Sequence, residues 1–300
     1  MGLPEKFNSC RMKAEKRDLM GKFSKVLFAA DFDRTLTDYQ SQIPQANLNA
    51  IREFQAQGGA FTVATGRSVP MFMKDQGKIP VNAPLILYNG AATYDSASGK
   101  LDDVVAIDHG RELMADLYAR FPHLWMEVQG IRYHELLGEN ETRLGYYRYA
   151  QAPCRPTTLQ TFPLPLLKAA VYGRFRDHTV GQFFSGSPEE IAELDEVERY
   201  VTRVYAQVAT AERAAPRIVD IGARGVSKGR AARALAEKLH RPVLVCAGDA
   251  LNDVSMLRQA DYAFVPADCE QAVAAMGFRQ TVPCAQGAVA SAIRQLEALL

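Results

Sequence analysis

Two carboxylates and one hydroxyl group, those of Asp31, Asp33 and Thr35, directly follow the apolar run Val26–Ala30. A short apolar run bounded by polar residues predicts a buried strand, and successive side chains of a strand alternate between its faces. If the extended geometry continues, the three oxygen-bearing side chains leave on one side. Neighbouring carboxylates at a strand end repel each other unless a cation lies between them. Mg²⁺, which prefers oxygen ligands, is the simplest such cation.

The same residues would also suit a solvated turn, with Asp33 or Thr35 capping the next helix, and a short motif alone does not separate the two interpretations. A second polar stretch follows the predicted strand Ala60–Ala64. There, Thr65 and Gly66 could receive a phosphate oxygen close to the backbone. Taken alone, however, this stretch is better explained by an ordinary strand-to-helix turn.

Two further stretches carry charged groups. Lys228 lies in the first turn of a predicted helix, where the helix dipole disfavours a cation and attracts an anion. A bound phosphate would explain this lysine, and an exposed surface lysine is the alternative. Asp249, Asn252 and Asp253 follow a predicted strand, where one carboxylate could complete an oxygen shell begun by Asp31. A pure capping role is the alternative there, but two acids and an amide are more than a cap requires.

The predicted elements place these groups at one edge of a sheet. From Val26 to Tyr88 the order is strand, helix, strand, helix, strand, and helices and strands alternate again after about Ser227. This order calls for a parallel sheet with right-handed crossovers, in which ligand sites form at the carboxyl ends of the strands. We therefore predict an α/β fold with a doubly wound parallel sheet.

Residues 109–213 interrupt this pattern. Their short strands and helices lack the short apolar runs bounded by polar residues that predict buried strands in the flanking parts. This difference predicts an inserted α+β cap domain. The core then consists of residues 1–108 and 214–300, and residues 1–24 form a lead-in segment to the first strand.

Several segments in and after the insertion have recognisable patterns. Tyr146–Ala150 alternates like a sheet edge, and Tyr200–Ala209 alternates like a strand. The capping box that begins at Ser187 opens a helix expected to end near Val197. Arg217–Ile221 is predicted to be the first strand of the resumed core.

Composition narrows the class of protein. The 300 residues carry a formal charge of +1, which argues against an electrostatic surface for nucleic acid or an anionic membrane. No apolar run approaches the roughly 20 residues that span a bilayer, and the charged N-terminal segment does not resemble a secretory signal. The 5 scattered cysteines without a C-x-x-C pair fit a reducing compartment. We expect a cytoplasmic monomer or small homo-oligomer.

The polar stretches occur together in one chain, which makes the sequence recognisable. It resembles the haloacid-dehalogenase-like (HAD) phosphohydrolases, and within them the Cof-type branch with a large α/β cap. The motif D-x-D-x-T is matched by Asp31, Asp33 and Thr35, and the later motifs by Thr65 in ATGR, Lys228 in GVSKG, and Asp249, Asn252 and Asp253 in GDALND. Both core segments are well covered, whereas the cap is matched only by position and size.

The resemblance implies a role for each matched residue. Asp31 would attack the phosphorus and form an aspartyl-phosphate, while Asp33 protonates the leaving oxygen and then activates water. Mg²⁺ would be held by Asp31, the backbone carbonyl of Asp33, and Asp249. The other implied roles are phosphate binding by Thr65, Gly66, Lys228 and Asn252, and support of the site by Thr35, Arg67, Asn89 and Asp253.

Two features bear on substrate choice. The family usually has glycine before the threonine of the first motif, and Arg34 stands there instead. Its side chain could point to solvent, which is the preferred expectation, or reach toward the cap. The candidates for contact with the leaving group lie in the polar and aromatic part of the insertion and are Trp125, Arg132, Tyr133, His134 and Arg155.

The resemblance therefore predicts a Mg²⁺-dependent phosphatase that hydrolyses small phosphorylated metabolites, with sugar phosphates as the first expectation. A phosphosugar mutase on the same scaffold is a second hypothesis, because related capped proteins also use an aspartyl-phosphate. A catalytically silent binding protein is a third hypothesis. Such a protein would have no chemical need for the intact set Asp31, Asp33, Lys228 and Asp249.

Overall fold

The computed structural model describes residues 21–138, 140–174 and 186–300, and these residues form three sheets and the helices between them. The strands are β1 (Val26–Ala30), β2 (Ala60–Val63), β3 (Leu85–Leu87), β4 (Ala92–Asp95), β5 (Lys100–Asp102), β6 (Trp125–Gln129), β7 (His134–Leu137), β8 (Cys154–Thr157), β9 (Lys168–Tyr172), β10 (Ala209–Ala215), β11 (Ile218–Ala223), β12 (Val243–Ala247), β13 (Tyr262–Val265) and β14 (Arg279–Gln280). The helices are α1 (Gln45–Ala56), α2 (Val69–Phe72), α3 (Gly110–Arg120), α4 (Glu141–Tyr149), α5 (Pro188–Val204), α6 (Lys228–Lys238), α7 (Val254–Gln259), α8 (Gln271–Ala274) and α9 (Ala288–Leu299).

The first sheet is parallel throughout, with the strand order β14-β13-β12-β1-β2. Its strands are apolar on both faces because helices cover both faces. Phe28 packs in a cluster with α1 and α9, whereas Leu27 packs on the opposite face in a cluster with α6 and α7. The predicted α/β class with a doubly wound parallel sheet is confirmed.

Three neighbouring strands of this sheet, β12, β1 and β2, end at the same level. Ala30, the last residue of β1, pairs with Ala247 of β12 on one side and with Val63 of β2 on the other. The residues that follow the three strands therefore meet at one edge of the sheet. This edge is where a ligand site is expected in an open parallel sheet.

A small antiparallel sheet, β3-β4-β5, adjoins the parallel sheet. An isolated parallel bridge from Ala64 to Ile86 connects it to the end of β2. The turn after β3 is thereby placed next to the turn after β2.

The third sheet has six strands in the order β10-β11-β9-β6-β7-β8. Its pairs are antiparallel except for β7 with β8. One face is apolar and packs against α3 and α5. The opposite face carries Glu127, Gln129, His134, Lys168 and Asp220, which lie in register on neighbouring strands. We call this the polar face of the cap sheet.

The predicted return to the core at residue 214 is wrong. Arg217–Ile221 was expected to begin the core again, but β11 pairs with β9 of the cap sheet, with Val219 opposite Val171. Val219 and Ile221 are buried in the cap's apolar cluster, and this burial fixes the strand there. The core sequence resumes only after Ala223, and the rest of the domain division stays a prediction.

Two predicted strands of the cap are helical. Tyr146–Ala150 belongs mainly to α4, whose N-terminus is capped by the Asn140 side chain. Tyr200–Ala209 begins within α5, which runs on to Val204 because buried side chains recur at helical spacing. In both segments, bulky residues that suit a strand pack on a helix face instead.

The N-terminal lead-in lies mostly outside the described residues, which begin at Gly21. Its last part is packed, because Phe23 is buried with its ring centroid 4.7 Å from that of Phe54. Among the described ranges, no helix is both long and apolar enough to cross a bilayer.

Candidate active site

A buried lysine connects two of the predicted motifs. Lys228 is the first residue of α6, and its ammonium group donates to Asp31 Oδ1 at 2.6 Å and to Asp253 Oδ1 at 2.7 Å. Only 1 % of its side chain is exposed. Burial alone would lower the pKa of Lys228, but the two carboxylates raise it above its ordinary value. The lysine is therefore a fixed positive charge at the sheet edge.

The close approach of α6 to the fourth motif depends on Gly229. A Cβ atom at this position would lie 2.1 Å from the backbone oxygen of Ser255. The backbone N–H of Gly229 itself donates to Ser255 Oγ at 3.3 Å. The missing side chain thus allows Lys228 to reach Asp253.

Asp253 organises the turn that follows β12. Its Oδ2 accepts hydrogen bonds from the backbone N–H groups of Asp249 at 3.0 Å and Ala250 at 3.1 Å, while Oδ1 accepts from Lys228. Both carboxylate oxygens are therefore engaged with the protein. This arrangement fits the predicted supporting role of Asp253.

The first motif does not continue the strand. Phe32–Leu36 forms a tight turn, in which Asp33 is still extended and Arg34 has a left-handed backbone conformation with φ of 58°. The turn still brings Thr35 to the site, because its hydroxyl donates to Asp249 Oδ1 at 3.0 Å. The assumption that strand alternation aligns the three oxygen-bearing side chains is wrong. A turn rather than a strand brings Asp31 and Thr35 together.

Asp31, Asp249 and Asp253 form a cluster in which one carboxylate oxygen of each lies within 4.8 Å of the others. All three are buried. Burial and the neighbouring acids raise the pKa of Asp31 well above its ordinary value. Burial and the charge of Asp253 raise the pKa of Asp249 to about 7. Lys228 and the Arg34 guanidinium, which lies 3.3 Å from Asp249 Oδ2, do not balance three acids, so the cluster is short of positive charge.

This charge deficit and the donor atoms fit a hard divalent cation. Carboxylate oxygens are the ligands that Mg²⁺ prefers, and it commonly takes only one or two of them from the protein. Asp31 and Asp249 are the residues that would hold it, since Asp253 already accepts from Lys228 and from two backbone N–H groups. The predicted ligand role of the Asp33 backbone carbonyl stays a prediction.

Arg34 folds back onto the acidic cluster. One of its terminal nitrogens lies 3.3 Å from Asp249 Oδ2 and 3.7 Å from Glu270 Oε1. The preferred expectation that this side chain points to solvent is wrong, since two carboxylates draw it inward. Its left-handed backbone conformation, which favours glycine, also explains why glycine suits this position in related sequences.

Asp33 and Arg67 form a two-pronged ion pair. Arg67 donates from Nε to Asp33 Oδ2 at 2.9 Å and from Nη2 to Asp33 Oδ1 at 2.6 Å. The same guanidinium donates to Asp75 Oδ2 at 2.9 Å and lies 4.5 Å from the centre of the Phe32 ring. Because the guanidinium is planar and held on several sides, it fixes the direction of the Asp33 carboxylate.

The remaining predicted core residues lie around the same edge. Thr65 is buried beyond β2, and its Oγ1 accepts from the backbone N–H of Arg67 at 3.2 Å. Gly66 lies against the Asn89 side chain, which would be 2.7 Å from a Cβ atom there. Asn252 lines a small cleft together with Lys228 and Asn89. The predicted phosphate-binding and supporting residues are thus brought together.

The predicted cap residues are placed differently from one another. His134 is buried against Ser68 of the core. Trp125 pairs with Tyr172, at the end of β6 away from the core. Arg132 is exposed, and Arg155 pairs with Glu135 at 2.6 Å. Tyr133 is 40 % exposed under the Arg155 guanidinium. His134 contacts the core through Ser68, and the predicted role of all five residues in specificity stays a prediction.

Sequence reasoning missed the charged residues on the polar face of the cap sheet. Lys168 donates to the Gly66 carbonyl at 3.0 Å and pairs with Asp220 at 2.6 Å. Glu127 is fully buried and accepts from Arg143 at 3.0 Å. A signal was present, since Lys168 and Asp220 each interrupt an apolar run in the sequence. A charge within a predicted buried strand indicates a partner across an interface.

Comparison with known proteins agrees with this arrangement. The model of the haloacid dehalogenase-like hydrolase family matches residues 28–293. The phosphatase YwpJ of Bacillus subtilis is 25 % identical over 264 residues, which cover 78 % of this chain and 86 % of that protein.

Solved structures show the same fold. A haloacid dehalogenase-like hydrolase from Bacteroides thetaiotaomicron superposes with a TM-score of 0.74 at 19 % identity, covering 92 % of this chain and 100 % of the other. The HAD subclass IIB sugar phosphatase BT4131 gives a TM-score of 0.71 at 18 % identity, covering 91 % and 99 %. Because the family model spans most of the sequence, the predicted family and enzyme class are confirmed: the chain belongs to the haloacid dehalogenase-like hydrolases.

Proposed function

We propose that this hydrolase is a Mg²⁺-dependent phosphatase that acts on small phosphorylated metabolites, sugar phosphates first among them. The observation that carries the proposal is the contact of Lys228 with both Asp31 and Asp253 inside a cluster of buried acids. A nucleophilic carboxylate beside fixed positive charge can meet the negative charge of a phosphoryl group. Relatives named phosphatase and sugar phosphatase support this reaction class.

Asp31 is the proposed nucleophile. Its carboxylate oxygen attacks phosphorus while the bond from phosphorus to the leaving oxygen breaks, so that an aspartyl-phosphate forms on Asp31. The positive charge of Lys228, 2.6 Å from Asp31 Oδ1, favours the ionised carboxylate that the attack requires, against burial and the neighbouring acids, and it steadies a phosphoryl oxygen. When bound between Asp31 and Asp249, Mg²⁺ supplies further positive charge for the phosphoryl oxygens.

Asp33 is the proposed general acid and base. Its side chain is about half exposed, at 48 %, so it can face both a leaving group and water. It gives a proton to the leaving oxygen in the first step, and in the second step it takes a proton from the water that attacks the aspartyl-phosphate. Phosphate then leaves and Asp31 is regenerated. Thr65 and the backbone at Gly66 are proposed to hold the other phosphoryl oxygens.

The test is a phosphate-release screen over sugar phosphates and other phosphorylated metabolites, with Mg²⁺ or with a chelator. We expect release that needs Mg²⁺ and that disappears in Asp31→Asn. Isomer formation from hexose phosphates without release would indicate the mutase instead. No turnover of any substrate despite measurable Mg²⁺ binding would indicate a silent binding protein. The cytoplasmic location and the oligomeric state stay predictions.

A further inference from the structure

Three consecutive residues after β2, Gly66, Arg67 and Ser68, contact two different parts of the protein, the cap and the Asp33 carboxylate. The outer two contact the cap: the Gly66 carbonyl accepts from Lys168 at 3.0 Å, and Ser68 Oγ lies 2.5 Å from Nε2 of His134. The middle residue, Arg67, holds the carboxylate of Asp33 through two hydrogen bonds. The cap therefore holds a residue on each side of the arginine that orients Asp33, Gly66 through its backbone carbonyl and Ser68 through its side-chain hydroxyl.

We propose that His134 and Lys168 of the cap are positioning residues for Asp33, acting through Ser68 and Gly66, the residues on either side of Arg67. The inference rests on the proposed function, since it takes Asp33 to be the proton donor and acceptor. It adds the link between the docking of the cap and the proton transfer.

The cap fixes His134 firmly. Glu127 accepts from Arg143 and from the Tyr147 hydroxyl. Although burial alone would raise the pKa of Glu127, Arg143 and His134 hold it far below its usual range. An ionised carboxylate only accepts, so His134 donates from Nδ1 to Glu127 at 3.1 Å. In the neutral imidazole, Nε2 is then an acceptor for the hydroxyl of Ser68.

Lys168 is fixed in a comparable way. Its ammonium group pairs with Asp220 Oδ2 at 2.6 Å, and the same oxygen accepts from the Asn89 side chain at 3.2 Å. Both Lys168 and Asp220 are less than one tenth exposed. The ammonium group donates both to Asp220 and to the Gly66 carbonyl, so the carboxylate fixes where the lysine meets that carbonyl.

The position of the Gly66–Ser68 backbone decides where the Asp33 carboxylate lies. The Arg67 guanidinium is a rigid fork, so a shift of its backbone moves both bonds to Asp33 together. A misplacement of about 1 Å can cost about 10²-fold in rate when a reacting group must be aligned. Loss of either cap contact should therefore impair proton transfer without removing Asp33.

The test compares two substrates that differ in their need for a proton. The leaving group of an alkyl phosphate such as glycerol phosphate must be protonated, whereas p-nitrophenolate leaves without a proton. We expect Lys168→Met and His134→Phe to lower kcat/KM for glycerol phosphate by about 10²-fold, with little change for p-nitrophenyl phosphate. His134→Gln, which keeps a polar group near Ser68, should recover part of the loss.

The matched control is Lys74→Met. The Lys74 ammonium also links the core to the cap, because it donates to the carbonyl of Ala150 at 3.0 Å, but this bond does not involve residues 66–68. We expect the ratio of its kcat/KM for glycerol phosphate to its kcat/KM for p-nitrophenyl phosphate, the substrate ratio, to equal that of the wild type. An equal loss on both substrates, or the same change of ratio in Lys74→Met, would show general docking of the cap and overturn the inference.

Asp33→Asn separates this inference from the proposed function. If Asp33→Asn leaves the substrate ratio unchanged, Asp33 is not the proton donor and the proposed function fails together with the inference. If Asp33→Asn changes the ratio while Lys168→Met and His134→Phe do not, only the inference fails. Thermal unfolding of each variant establishes that it folds, and because the two contacts lie on different strands, one folded variant is sufficient.

Discussion

Two buried ionic clusters, one in the core and one in the cap, use similar groups in opposite ways. In the core, two cations face the three acids Asp31, Asp249 and Asp253: Lys228 contacts the first and the third, and Arg34 lies 3.3 Å from the second. In the cap, Glu127 is surrounded by donors from Arg143, Tyr147, His134 and Gln129. The pKa of Asp249 is raised to about 7, whereas that of Glu127 is held below its usual range.

The difference separates a reactive cluster from a structural one. In the cap, each charge has a partner, so the cluster is stable as it stands and holds strands and helix α4 together. In the core, negative charge exceeds positive charge, and the imbalance is relieved by protons or by a cation. We infer that the core cluster is arranged for a charged ligand and the cap cluster for stability. Substitutions in the two clusters should then have opposite consequences.

The largest effect is expected for Asp31→Asn. Removing the proposed nucleophile should lower turnover by at least about 10⁴-fold, since residues that react covalently contribute this much or more. Stability should not fall, because the substitution removes one charge from a cluster that has too many. Phosphate release and chemical denaturation without metal measure the two quantities. Retained turnover would exclude Asp31 as the nucleophile.

The second effect is expected for Glu127→Gln. In contrast to Asp31→Asn, this substitution should lower stability and leave turnover nearly unchanged. Removing the carboxylate leaves the buried guanidinium of Arg143 without its ion-pair partner, which costs about 3–5 kcal/mol of stability. Turnover of p-nitrophenyl phosphate by the folded protein should stay close to wild type, since the amide can still accept from His134. Denaturation curves and initial rates check this result. A variant with normal stability and lost turnover would show that the cap cluster is reactive.

The third effect concerns pH and metal. The pKa of Asp249 is about 7 in the folded protein, above the ordinary aspartate value of 3.8 that applies to the unfolded chain. Between these values the folded state binds more protons, so the metal-free protein should lose stability as pH rises and level off above about pH 7. Mg²⁺ competes with that proton, so its stabilising effect should grow over the same window.

Thermal unfolding with and without Mg²⁺, from about pH 5 to about pH 8, measures this linkage. At a concentration 100 times its dissociation constant, a ligand stabilises the folded state by about 2.7 kcal/mol. Glu127→Gln, tested under the same conditions, should keep this pH dependence because the cap cluster does not bind the ion. Stabilisation by Mg²⁺ that is the same at every pH would contradict the assignment to Asp249.

The smallest effect is expected for Arg34→Gly. The guanidinium lies 3.3 Å from Asp249 Oδ2, where it competes with a cation for the same carboxylate. A partly exposed ion pair contributes up to about 1 kcal/mol, so the dissociation constant for Mg²⁺ should fall by up to about fivefold. Titration calorimetry with Mg²⁺ measures it. Arg34→Gln is the matched variant, because it removes the charge but keeps a residue other than glycine at this left-handed position. Unchanged affinity for Mg²⁺ in both variants would show that Arg34 does not compete with the cation.

The core site could be predicted from the sequence because its residues follow strand ends in a parallel sheet. Once β1 and β12 are recognised as buried strands, Asp31 and Asp249 must lie at the same edge. The turn that carries Asp33 and Thr35 could not be predicted, since strand alternation and a tight turn place Thr35 on the same side. The extended geometry ends at Arg34, whose left-handed backbone with φ of 58° is seen only in the structure.

The cap was predicted less well, for physical reasons. Its contacts with the core depend on the register of antiparallel strands, and a shift of one residue would move Lys168 to the other face. Aromatic residues such as Tyr146 and Tyr147 suit strands and helix faces alike, so α4 was taken for a strand. Leu194, Val197 and Val201 did carry a helical spacing that indicated the full length of α5.

Gly229 has no functional group, yet it sets how near two motifs can come. A single methyl group there would strike the backbone of Ser255 and push the helix that carries Lys228 away from Asp253. Loss of activity at such a position would look like the loss of a reactive group, although only empty space has been filled. In a mutational survey of this enzyme, intolerance at residue 229 would therefore record a clearance between two chain segments and not a chemical role.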